Sequence, residues 1–217
     1  MRPAVALVVA KSPVAGRVKT RLGREIGMER AADLAAAALL DTVWACTSAF
    51  GAARCHLALD GVMAHGRRAA ELLVATADWT FHPQRGDTFA DRLLQAHADA
   101  AAFSGAPVVQ VGMDTPQLLV GTLVEAASLL TSADAAVLGP AVDGGWWLLG
   151  VGGPHLLAQL HEVPMSTVET GELTRRSLVG AGARVTDVVT LRDVDEVLDA
   201  QHVANAAPGT RFARSWR

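Results

Sequence analysis

Short, continuous apolar runs that alternate with longer helical patterns constrain this 217-residue chain more than any other feature. The runs are Ala4–Ala10, Cys55–Leu59, Trp79–His82, Pro107–Val111 and Ala135–Leu138, each bounded by turn-forming residues. A strand inside a parallel sheet is covered on both faces, so it reads as an unbroken apolar run. Helical patterns fill the intervals, from Met28 to about Phe50, from about Gly66 to Leu73, from Thr88 to about Phe103 and from Leu118 to about Leu130. This order predicts an α/β fold: a mostly parallel, Rossmann-like sheet with helices on both faces.

After Gly139 the rhythm changes to a glycine-rich turn, an apolar segment Trp146–Val151, a helix near Thr167–Leu178, a short strand near Arg184–Val188 and a last helix from about Asp193. Ser166 with Glu169, and Asp193 with Glu196, have the spacing of a capping box at those two helix starts. No internal repeat or low-complexity linker divides the chain, and 51% apolar residues suffice for one large core. We expect one domain over residues 1–207 and a loosely ordered tail over 208–217.

The net charge of −3 and the absence of any basic run argue against a nucleic-acid partner. Cys46 and Cys55 form no CxxC pair and read as reduced thiols of a cytoplasmic protein. The apolar stretch after Arg2 runs into Lys11-Ser12-Pro13 and reads as a buried strand rather than a signal peptide, and no stretch reads as a membrane span. The seven histidines are scattered, with no i, i+4 pair, and there is no GxSxG elbow.

The strongest chemical signal directly follows the first run. Lys11-Ser12-Pro13-Val14-Ala15-Gly16-Arg17-Val18-Lys19-Thr20-Arg21-Leu22 carries four cations at a strand's carboxyl end, where open parallel sheets bind ligands. Gly16 allows a turn or close approach, and Lys11, Lys19 and Arg21 could surround a chain of phosphates. The segment is neither a P-loop nor a GxGxxG fingerprint.

Two acidic turns face the same end of the sheet. In Gly112-Met113-Asp114-Thr115-Pro116 a carboxylate projects beside the basic loop, where it suits a hard divalent cation, although Asp114 or Thr115 also fits as a helix N-cap. In Gly139-Pro140-Ala141-Val142-Asp143-Gly144-Gly145-Trp146-Trp147, Asp143 offers a second carboxylate, Gly144 and Gly145 leave room for a ligand, and the tryptophans wall a pocket.

Weaker signals follow. Asp87, Asp91 and Arg92 enter a helix whose start could receive a base or ribose, with Thr88 and Asp91 at capping spacing. Ser166 and Thr167 precede another helix and could hold an anionic group, with simple capping as the plainer reading. Asp193 and Asp195 fit the electrostatics of a helix start and read as structural.

With these residues identified, the chain resembles a bacterial family, the DUF2064 group, whose members are often labelled glycosyltransferases of the GT-A type. The matching pieces are Lys11-x-Pro13-x-x-Gly16-x-Val18-Lys19-Thr20-Arg21-Leu22, Gly112-x-Asp114-x-Pro116, Gly139-Pro140-x-x-Asp143-Gly144-Gly145 and Asp193-Val194-Asp195. The layout is also similar to 2-phospho-lactate and molybdenum-cofactor guanylyltransferases, in the superfamily of nucleotide-diphospho-sugar transferases. That resemblance implies phosphate ligands at Lys19 and Arg21 and a magnesium or manganese ligand at Asp114. Trp146-Trp147 stand where the family usually has two tyrosines, and Met165 where a tryptophan is common, so the acceptor pocket departs from the family pattern.

Residues and resemblance together lead us to expect a metal-dependent transferase acting on a nucleotide and a small-molecule acceptor. Transfer of a nucleotidyl group from an NTP to a phosphorylated acceptor is the first reading, glycosyl transfer from a nucleotide sugar the second, and non-catalytic nucleotide binding the third. The candidate catalytic groups are Lys19, Arg21, Asp114 and Asp143. The candidate nucleotide contacts are Lys11, Gly16, Lys19, Arg21, Asp87, Arg92, Gly144 and Gly145, and the candidate metal ligands are Asp114 and Asp143.

Overall fold

The first apolar run forms β1 (Val5–Lys11), buried over its first six residues, in the computed structural model, which describes residues 2–217. The other expected runs become β2 (Cys55–Asp60), β3 (Thr80–Pro83), β4 (Val108–Val111) and β5 (Ala135–Pro140). The later segments supply β6 (Trp146–Val151) and β7 (Arg184–Asp187). All seven join one sheet in the order β3-β2-β1-β4-β6-β5-β7.

β1 pairs in parallel with β2 and β4, β2 with β3, and β5 with β7. β6 alone runs against its neighbours β4 and β5. The carboxyl ends of β1, β2 and β4 therefore share one edge with the amino end of β6, and the loops that leave or enter them there build the site.

Strand alternation divides the core into two faces. Ala4, Ala6, Val8 and Ala10 pack toward α2 (Met28–Phe50) and α5 (Val120–Leu129), where Leu39, Leu123 and Ala126 are buried. Val5, Leu7 and Val9 pack toward α4 (Phe89–Ser104) and α6 (Thr170–Gly180), through Leu93, Ala96, Ala100 and Leu178. Alanine lets α2 approach the sheet closely, and Ala35 to Ala38 are all buried. By length and apolarity α2 would suit a membrane span, contrary to expectation, but 72% of that stretch is buried inside the fold.

Three further expectations are corrected. The cationic segment does not stay a loop: Thr20–Ile26 forms helix α1. The capping boxes expected at Ser166/Glu169 and Asp193/Glu196 do not form, because α6 starts at Thr170 and α7 (Val197–Ala206) is capped by Glu196 with Asp199. The tail expected to be loose forms α8 (Arg211–Trp216), with Phe212 and Ala213 buried among Leu22, Leu34, Ala200 and Val203. The buried Asp41 of α2 accepts from the backbone N–H groups of Arg211 and Phe212, at 3.0 and 2.9 Å, which satisfies the open end of α8. The box at Thr88 and Asp91 forms as expected.

Candidate active site

A cleft of about 730 Å³ opens over the carboxyl ends of β1 and β4. Among its lining residues is Lys19, the residue before α1, which adopts the left-handed backbone conformation with φ 47° and ψ 44°. That conformation costs a residue with a Cβ about 1–2 kcal/mol, so the surrounding structure must hold it. The Lys19 ammonium lies 2.7 Å from Asp114 Oδ1 and 3.0 Å from Asp195 Oδ1, with 9% of the side chain exposed. Burial alone would lower its pKa, but the two carboxylates outweigh burial and raise it above the ordinary lysine value. Arg21 reaches Asp195 Oδ2 at 3.4 Å from the exposed side.

The carboxylates converge through backbone pairing between distant segments. Asp114 follows β4 in a turn and is not a helix cap, since α5 starts at Val120 with Leu119 before it. The Val194 N–H donates to the Asp114 carbonyl at 3.0 Å, and Gln117 Nε2 donates to the Arg192 carbonyl at 2.7 Å. These bonds press the Arg192–Asp195 segment against the turn after β4. Leu191, just before it, exchanges backbone bonds with Pro140 and Val142, which brings the Asp143 turn alongside. Val194 is buried while Asp193 and Asp195 both line the cleft.

Asp193 is the most perturbed acid of the group. Burial first, and then the neighbouring Asp114, push its carboxyl up to about 7 against the opposing pull of Lys19, with Asp143 and Asp195 adding to the rise. Its Oδ1 is buried without a hydrogen-bond partner. Asp195 moves the other way: burial would raise it, but Lys19 and then Arg21 hold it below the usual carboxylate range.

Of the residues singled out from sequence, Lys11, Lys19, Arg21, Arg92, Asp114, Asp143 and Gly145 line this cleft together. Gly16, Asp87 and Gly144 are not among the lining residues. Gly16, at φ 75°, has open space around it, so its turn rather than a close neighbour calls for glycine. Gly144, at φ 90°, packs against the next loop: a Cβ there would lie 2.1 Å from the Val168 carbonyl oxygen. Asp91 is occupied by the Thr88 cap and borders a separate groove beside α4.

Arg17, Asp193 and Asp195 also face the cleft, and the sequence reading gave none of them a ligand role. Their signals were present in part. Two acids flanking one apolar residue in an extended segment point the same way, which Asp193-Val194-Asp195 does.

A family model described as "Uncharacterized protein conserved in bacteria (DUF2064)" matches residues 42–167, more than half of the chain. The chain belongs to the DUF2064 family. The matched segment holds Asp114 and Asp143, while the basic loop and the Asp193-Val194-Asp195 segment lie outside it. Among curated proteins, none matches this sequence.

Solved structures share this DUF2064 protein's fold. A candidate nucleotide-diphospho-sugar transferase from Desulfovibrio desulfuricans G20 superposes with a TM-score of 0.80 at 23% identity, over 100% of this chain and 93% of that one. A nucleotidyl transferase from Methanothermobacter thermautotroptrophicus gives 0.56 at 19% identity, over 99% and 100%. A CMP:2-keto-3-deoxy-manno-octonic acid synthetase complexed with CTP gives 0.56 at 13%, over 92% and 96%.

Proposed function

We propose that this cleft transfers a nucleotidyl group from an NTP to a phosphorylated small-molecule acceptor, with a divalent cation as cofactor. The observation that carries this reading is the group at the strand ends: Lys19 set between Asp114 and Asp195, with Lys11, Arg17 and Arg21 in the same cleft. Cations at that density suit a triphosphate. The descriptions of two fold relatives, a nucleotidyl transferase and a synthetase complexed with CTP, point to the same chemistry.

The donor set fits a hard cation. Among the described residues no three His, Cys, Asp or Glu side chains gather closely enough to hold a metal by themselves. Magnesium commonly takes one or two protein carboxylates and completes its shell with phosphate oxygens and water. Asp114 and Asp195 would take that role, with Asp143 facing the same space and the unpartnered Asp193 Oδ1 as a further oxygen donor. Bound there, such a cation would neutralise phosphate charge as it builds up on the leaving group.

In the reaction, an acceptor phosphate oxygen bonds to the α-phosphorus, the bond from that phosphorus to the α,β-bridging oxygen breaks, and pyrophosphate leaves with the electron pair. The chain supplies position and charge: Lys11 and Arg17 face the phosphates, and Lys19 and Arg21 balance the departing pyrophosphate. No covalent enzyme intermediate is required.

Sugar transfer from a nucleotide sugar is the second reading, favoured by the description of the Desulfovibrio relative. A thermal-shift panel of NTPs and nucleotide sugars, with and without Mg²⁺ or Mn²⁺, separates the two, because a ligand of the folded state raises its stability by mass action. A metal-dependent shift with one NTP supports nucleotidyl transfer. A shift with a nucleotide sugar well beyond that of its parent diphosphate supports sugar transfer and overturns the first reading.

A further inference from the structure

The two faces of the sheet give the cleft two different walls. The face toward α1 and α2 carries the basic loop and the carboxylates. The face toward α4 and α6 carries Phe89, Arg92, Gln110, Trp146, Met165 and Thr167. On that second wall Trp146 and Met165 pack against the α4-side core. Trp146 Nε1 is committed to Thr174 Oγ1 at 3.1 Å, so an apolar ring is what it presents.

Arg92 is the one cation that α4 brings to the cleft. Its Nε is buried and has no hydrogen-bond partner, and its Cζ lies 6.0 Å from the Phe89 ring centroid. The carboxylates of its own helix are taken: Asp91 closes the cap with Thr88, and Asp99 holds Arg85 at 2.9 Å. A buried guanidinium nitrogen that makes no bond is costly, and the guanidinium, which lines the cleft, keeps its capacity to pair with an incoming anion.

Gln110 adds a donor on the same wall. On β4, its Oε1 accepts from His97 Nε2 at 3.0 Å, and both residues are buried. With the carbonyl end committed to His97, the amide NH₂ is the polar group Gln110 has left for the cleft.

We propose that this wall is the acceptor subsite, and that Arg92, with the Gln110 amide, holds an anionic group of an acceptor whose remaining skeleton lies on Phe89, Trp146 and Met165. The inference rests on the nucleotidyl-transfer reading. It assigns Arg92 to the acceptor, whereas the sequence placed it among the nucleotide contacts. A carboxylate and a phosphate would satisfy Arg92 by the same paired N–H bonds, so the shared chemistry is a planar or tetrahedral oxyanion.

Isothermal titration of the full chain, saturated with Mg²⁺ and the NTP that shifts it most, tests this assignment. The probes are glucose 1-phosphate, glycerol 3-phosphate and lactate, each beside its uncharged counterpart glucose, glycerol or lactamide. The phosphate and carboxylate arms distinguish the two oxyanions. Charged probes should bind and their counterparts should not. Arg92→Gln should weaken the charged probe by at least about tenfold, the scale of a lost charge-assisted bond, while NTP affinity stays within about twofold. Arg92→Lys, which keeps the charge but loses Nε, should fall between and serves if Arg92→Gln does not fold.

Arg92→Gln weakening the NTP while sparing the charged probe would overturn the assignment, as would equal binding of charged and uncharged probes or no binding by any charged probe. If no NTP binds the native chain, the nucleotidyl-transfer reading fails on its own. The same probes titrated into the nucleotide-free protein then still report whether Arg92 selects anions.

Discussion

Lys19 occupies the position between Asp114 and Asp195 that a divalent cation would take. A metal ion bound to the same carboxylate oxygens would compete with the ammonium, and a displaced lysine would be free for a phosphate. Lys19→Met should therefore bind Mn²⁺ in the absence of nucleotide at least about tenfold more tightly than the native protein, by electron paramagnetic resonance, while losing NTP affinity. Equal Mn²⁺ binding by the two would remove Lys19 from that position. Asp193 makes a second residue-scale test, since its buried carboxylate stands among other acids with one oxygen unpartnered. Asp193→Asn should raise the melting temperature at pH 8 in metal-free buffer, by roughly 5 °C, because it deletes a buried like charge. An unchanged or lower melting temperature would contradict that burial cost.

At the scale of elements, the site depends on contacts that hold loops against helix starts. Gly144→Ala would place a Cβ against the Val168 carbonyl at a backbone φ of 90°. It should cost about 2 kcal/mol or more in urea unfolding and displace the Ser166–Val168 loop, which borders the proposed acceptor subsite. Asp41→Ala, which uncaps α8, should cost about 1–2 kcal/mol and release protection of the α8 amides in hydrogen exchange. Both elements show where sequence reading stops. The strands were legible because burial on both faces writes an apolar run, and the Thr88 box because capping is local. The α8 cap was not, because its partner Asp41 lies 171 residues from Phe212. Asp193 and Asp195 were read as structural for the same reason: the bond from Val194 to Asp114 that makes them neighbours is long-range, and nothing local encodes it.

Across the whole molecule, two buried histidines link stability to pH. Burial holds His97 down to about 4, with Gln110 pulling weakly upward, and burial with the nearby His82 holds His56 down to about 4. Both titrate near 6.5 in the unfolded chain, so between those values the unfolded state binds more protons. The His97 contribution should be level above about pH 7 and fall as the pH drops toward 4, by on the order of 2 kcal/mol at pH 5. Asp193 follows the opposite trend, because its raised carboxyl pKa favours the folded state as the pH drops below about 7. Urea midpoints of Asp193→Asn at pH 8, 6 and 5 measure the slope without that opposing group, and a profile flat to pH 5 would refute it. The same fold assembles the proposed site, because one sheet edge collects a basic loop from β1, an acid from β4 and a further pair from the segment after β7. That convergence, and no single motif, is what the proposal of a metal-bound triphosphate in this cleft rests on.

The most direct measurement of that claim is calorimetric titration of the preferred NTP into the native protein and into Asp114→Asn, with and without Mg²⁺. The account predicts that Mg²⁺ strengthens NTP binding to the native protein, and that Asp114→Asn weakens it by at least about tenfold and abolishes the metal dependence. Equal affinity and equal metal dependence in the two proteins would contradict it.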